Sequence, residues 1–163
     1  MNKFFRPFRK LMLRDSVIGF CTATLWLLRD GSAWQDYLTG GLTGLCFLLL
    51  HEWGHLFGAA RKQAVVHPAP LWGPFLFDAD SQANNREQFL SLSVWGFYVT
   101  GLMLLAFLAF MPWDQTAGRV AWYAALTLST LTVVIEFPIA WRVYRHGSIP
   151  PVEIYRNALR AKN

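Results

Sequence analysis

Histidines 51 and 55 stand four residues apart with a glutamate between them, in the string His51-Glu52-Trp53-Gly54-His55. On a helix, positions i and i+4 share a face, so both imidazoles can reach one metal ion. Glu52 then lies close enough to take a proton from a water activated by that ion. The string sits inside an apolar run, residues 42–60, where three ionisable side chains are costly and functional roles are the usual explanation. A plainer alternative stays open, in which two buried imidazoles bond neighbouring backbone.

The elements that must carry these residues follow from composition. Of 163 residues, 54% are hydrophobic, with eight tryptophans and thirteen phenylalanines. Apolar runs alternate with short charged stretches, which predicts a single all-α integral-membrane domain over residues 1–163. Four transmembrane helices are expected, at residues 16–28, 37–60, 89–113 and 120–144. The first is short and borrows Leu11-Met12-Leu13; the fourth is expected to be broken by Glu136 and Pro138. The basic N-terminal arm with the apolar stretch after it resembles a signal peptide, but no small-residue cleavage site follows Leu28, so an uncleaved span is expected.

The net charge is +5. The cations fall in blocks: Lys3, Arg6, Arg9, Lys10 and Arg14 in the arm, Arg61-Lys62, then Arg142, Arg145, Arg156, Arg160 and Lys162 in the tail. This asymmetry places both termini in the cytoplasm of a multi-pass protein. No basic stripe interleaves with aromatics, so nucleic acid is not an expected partner; the lipid bilayer is. Trp34, Trp113, Trp122 and Trp141 fall near span ends, as an interfacial belt would have them. Cys21 and Cys46 are expected to be buried thiols.

One connection is long. Residues 61–88 contain His67-Pro68-Ala69-Pro70-Leu71-Trp72-Gly73-Pro74 and then Phe75-Leu76-Phe77. Prolines and glycine exclude a continuous helix, and irregular backbone at membrane depth needs protein cover, so a re-entrant loop or short β-hairpin is expected. Residues 78–87 are polar and expected to be exposed.

A third metal ligand comes from counting depth. Glu52 lies sixteen residues after Asp36, and Glu136 seventeen after Arg119. At ~1.5 Å per residue both sit roughly 25 Å from the outer ends of their helices. Glu136 is therefore level with the histidines, and two imidazoles with one carboxylate suit a single catalytic zinc that keeps a fourth position open. A neutral buried acid, or pairing with Arg142, is the alternative for Glu136. His67 and His146 are loop histidines, more ordinarily solvated than ligating, and four histidines are too few for a histidine-rich di-iron oxygenase.

The run from Leu48 through His51-Glu52-Trp53-Gly54-His55 to Ala59-Ala60-Arg61 resembles the active-site helix of the site-2 proteases, zinc-dependent intramembrane metalloproteases. Pro70-Leu71-Trp72-Gly73 is similar to the hairpin sequence that follows in that family, and Gly96 to Thr100 aligns with its Gly-Pro-x-x-Asn. The chain departs from the pattern at the missing proline, at Thr100 in place of asparagine, and in its last span, where Ile135-Glu136-Phe137-Pro138 replaces an Asp-Gly motif. The resemblance implies cleavage of a membrane protein or peptide, with Glu52 as the base. It also implies substrate contacts at Thr100, Leu71 and Gly73, and an extended substrate pairing with a strand edge between Leu71 and Phe77. No regulatory domain of the kind many members of that family carry is expected. The alternative is a non-proteolytic membrane module of the same fold that binds a partner; a metal carrier or sensor ranks behind both.

Overall fold

The computed structural model describes residues 2–73 and 75–151. Pro74 and the tail cations Arg156, Arg160 and Lys162 lie outside the described residues. The chain begins with a short helix α1 (Asn2–Phe5) and a single 3-10 turn at Arg6–Phe8, which leads into α2 (Arg9–Leu28). Then come α3 (Ala33–Arg61), strands β1 (Val66–Pro68) and β2 (Phe77–Ala79), α4 (Arg86–Phe110) and α5 (Thr116–His146). Among the described residues, three helical stretches are long and apolar enough to cross a membrane: Lys3–Leu28, Arg86–Phe110 and Thr116–His146. α3 is the longest but one and has the most buried residues, among them the two histidines, the glutamate and several glycines.

α3 is central. In its first half, Gly40 and Gly44 let α5 approach: a Cβ at Gly40 would lie 2.6 Å from the Ala117 carbonyl oxygen, and one at Gly44 would strike Ala124. In its second half, Gly54 and Gly58 do the same for α4. A Cβ at Gly54 would lie 2.9 Å from the Trp95 carbonyl oxygen, and one at Gly58 would lie 2.8 Å from the Trp95 Cβ. Small residues allow such close backbone approach where lipid supplies little hydrophobic drive for association. α2 lies against α3 through the Trp26 indole donating to Thr43 Oγ1 at 2.9 Å and the Trp53 indole donating to Asp15 Oδ2 at 2.8 Å.

The connection between α3 and α4 is an antiparallel hairpin, with Val66 opposite Ala79 and Pro68 opposite Phe77. The Ala69 amide extends it by donating to the Leu76 carbonyl at 2.9 Å. At its far end Asn85 and Gln88 form a reciprocal capping box at the start of α4. The Gln88 side-chain amide also donates to the Lys62 and Gln63 carbonyls at 3.3 and 3.2 Å, tying the start of α4 to the end of α3.

Four sequence expectations are corrected. The polar stretch 78–87 is not exposed throughout: Asp78, Asp80 and Asn84 are buried. Asn84 bonds both the amide and the carbonyl of Val65, and Asp80 accepts from the Gln82 and Ala83 amides, so these side chains fold the loop on itself. α5 runs unbroken through Glu136 and Pro138, since at membrane depth a helix that opened would leave further backbone groups unpaired. Trp122 is buried and stacked on Trp113 at 4.3 Å, inside the helix packing and not in an interfacial belt. Cys21 is exposed on α2 and Cys46 is half-buried beside Thr22 Oγ1, because α2 packs on the bundle along one side only.

Candidate metal centre

α3 presents His51, Glu52 and His55 in a buried position, and a nitrogen or oxygen ligand atom from each lies within 4.8 Å of the others. The two Nε2 atoms are 2.9 Å apart. Glu136 reaches across from α5 with both oxygens, Oε1 at 3.2 Å from His51 Nε2 and Oε2 at 3.1 Å from His55 Nε2. The Glu136 carboxyl group engages both imidazoles, while Arg142 is exposed on the same helix. Tetrahedral ligation at about 2.0–2.1 Å would place ligand atoms about 3.3 Å apart, close to these separations.

α4 holds both rings from behind. His55 Nδ1–H donates to the Leu92 carbonyl at 3.0 Å, and His51 Nδ1 bonds Thr100 Oγ1 at 2.8 Å. Between these two contacts lies Gly96, where a Cβ would run into the His55 ring. Leu92, Gly96 and Thr100 are spaced at i, i+4 and i+8, so a single face of α4 matches the i, i+4 pair on α3. With Nδ1–H committed to Leu92, the neutral His55 ring turns a lone pair at Nε2 toward the centre. When His51 likewise donates from Nδ1 to Thr100, three acceptors converge with no proton among them. A cation satisfies that arrangement, and outer hydrogen bonds of this kind fix ligating imidazoles in metal sites. The cluster can therefore hold a metal ion; the chemistry of the donor set fits.

Glu52 is turned differently. Its Oε2 accepts the Leu76 backbone amide at 3.2 Å, so the hairpin restrains the carboxylate beside the histidine pair. Leu76 is fully buried and packs with Phe8, Leu11 and Leu56. Glu52 is buried, and the His51 and His55 side chains are 3% and 9% exposed, whereas the Glu136 side chain is 32% exposed, so the cluster opens on the side of Glu136.

The other residues singled out from sequence fall elsewhere. Leu71 and Gly73 lie in the turn between β1 and β2, where the Leu71 carbonyl accepts from the Arg14 guanidinium at 2.5 Å and the Gly73 amide donates to Pro70. Thr100 bonds His51, a role of positioning an imidazole. His67 pairs with Asp80 at 3.4 Å, apart from the cluster. Sequence reasoning missed Leu92 and Leu76, whose contributions are a backbone carbonyl and a backbone amide with no side-chain signature. Comparison with protein-family models, curated proteins and solved structures finds no match to this chain.

Proposed function

We propose that this protein is a four-span intramembrane metalloprotease of the site-2 kind, with one zinc ion held by His51, His55 and Glu136. The convergence of His51 Nε2, His55 Nε2 and the Glu136 carboxylate within 2.9–3.2 Å of one another carries the reading. α3, flanked by α2, α4 and α5, is the fourth span, and the basic arm keeps the termini cytoplasmic. When bound, the zinc supplies Lewis acidity, making water nucleophilic near neutral pH and polarising a peptide carbonyl.

The chain's own groups do the rest. Glu52, restrained by the Leu76 amide, takes the proton from the attacking water and passes it to the leaving amine. Leu92 and Thr100 keep the imidazoles aimed at the ion. The burial of His51, Glu52 and His55 keeps bulk water out, while the open side at Glu136 admits an unwound peptide segment. Purified protein reconstituted with a membrane-embedded peptide tests this: wild-type cleaves and Glu52→Gln does not, with metal content equal in both. Cleavage unaffected by Glu52→Gln overturns the proposal and leaves the partner-binding module as the better account.

A further inference from the structure

At the N-terminal end of the molecule the same short segment has two unlike sides. Phe8 and Leu11 are buried, 1% and 3% exposed, against Leu56 and Leu76. The opposite side carries Lys3, Arg6 and Arg9, which line a cavity of about 730 Å³ together with Phe5, Met12 and Leu13. Among the described residues none of the three cations takes part in an ion pair, whereas Arg14, further along α2, is paired with Asp15 at 2.7 Å. The cations are exposed, and Met12 and Leu13 beside them are 45% and 69% exposed. They continue down the outer surface of α2, an apolar helix long enough to span a membrane.

We propose that this cavity binds the headgroup of an anionic phospholipid, with the phosphate among Lys3, Arg6 and Arg9 and the acyl chains along Met12, Leu13 and the α2 surface. Three cations converging at the end of a span match the charge of such a headgroup, and guanidinium forks suit phosphate oxygens. The apolar wall distinguishes a lipid from a free phosphate, which needs none. Anchoring by Phe8 and Leu11 fixes the backbone segment that carries the cations, so that segment need not be ordered on binding.

The site uses none of the groups around the metal centre and is tested without any assay of cleavage. Full-length protein in neutral detergent is offered phosphatidylglycerol, phosphatidylcholine or inorganic phosphate, and retained lipid is read by native mass spectrometry. Phosphatidylglycerol is expected to be retained in preference to phosphatidylcholine, with inorganic phosphate failing to displace it. Each cation near an anionic headgroup contributes roughly fivefold in binding, so the triple variant Lys3→Gln, Arg6→Gln, Arg9→Gln should bind on the order of a hundredfold more weakly. Should the triple variant fail to fold, Arg6→Gln and Arg9→Gln singly are each expected to lose about fivefold. Lys10→Gln, outside the cavity, should bind as wild-type does. Equal retention of both lipids, displacement by phosphate, unchanged binding in the cavity variants, or an equal loss in Lys10→Gln would each overturn the assignment.

Discussion

The His55 imidazole occupies the space in which a side chain at position 96 would begin. A Cβ built on Gly96 would lie 2.5 Å from His55 Nδ1 and nearer still to other ring atoms. The ring is bonded to Leu92 on one side and packed beside Glu136 on another, so it has little room to yield. Gly96→Ala should therefore displace the ring or part α3 from α4, at a cost of about 1–3 kcal/mol. We expect a drop in melting temperature together with at least a tenfold loss of metal affinity by metal-buffer titration. Full affinity in this variant would mean that Gly96 does not set the ring's position.

Thr100 offers a finer test, because only its hydroxyl matters to His51. Thr100→Val keeps the shape and removes the bond at 2.8 Å. Loss of an outer hydrogen bond to a ligating imidazole lowers metal affinity by about 10–100-fold. Thr100→Ser restores the hydroxyl and should restore affinity. Equal affinity in Val and Ser variants would assign Thr100 to packing alone.

Metal stoichiometry separates the two glutamates. Glu136 touches both imidazoles, and Glu52 is turned to the Leu76 amide. Purified His55→Ala and Glu136→Ala should lose bound zinc, and Glu52→Gln should retain it. Stoichiometric zinc in Glu136→Ala would remove that residue from the ligand set.

The hairpin's hold on Glu52 rests on one backbone N–H. Leu76→Pro removes that donor, and Leu76→Ala keeps it while giving up buried volume at about 2–5 kcal/mol. We expect Leu76→Pro to abolish cleavage with metal content intact. Leu76→Ala should be less stable to heat yet retain a measurable rate. Comparable rates in the two variants would show that the amide does not position the base.

These variants also mark what could be read from residue types alone. The i, i+4 histidines were legible because helical spacing fixes their shared face, and Glu136 was reachable because depth in a membrane helix is a count of residues. The hairpin was legible from Pro68, Pro70 and Gly73, which exclude a helix. The burial of Asp78, Asp80 and Asn84 was not, because a run of polar residues looks solvated unless its partners are known, and here those partners include the loop's own backbone. The same holds for Leu92 and Leu76, since a carbonyl or an amide is common to every residue. Thr100 was visible as a hydroxyl in a span, but its partner forty-nine positions away was set by how α3 and α4 meet.

α3 meets α5 through Gly40 and Gly44 and meets α4 through Gly54 and Gly58, with the histidines between the two zones or within the second. Residues 45–50 thus act as a fixed-length shaft between two seats. Adding or deleting one residue there would turn everything beyond it by about 100° relative to the first seat. His51 and His55 could then stay beside α4 only by abandoning Glu136, or face α5 only by abandoning Leu92 and Thr100. Along this shaft the exposed Leu45 and Leu50 are free to vary in bulk, while the buried Phe47 and Leu49 are not; its length is not free to vary at all.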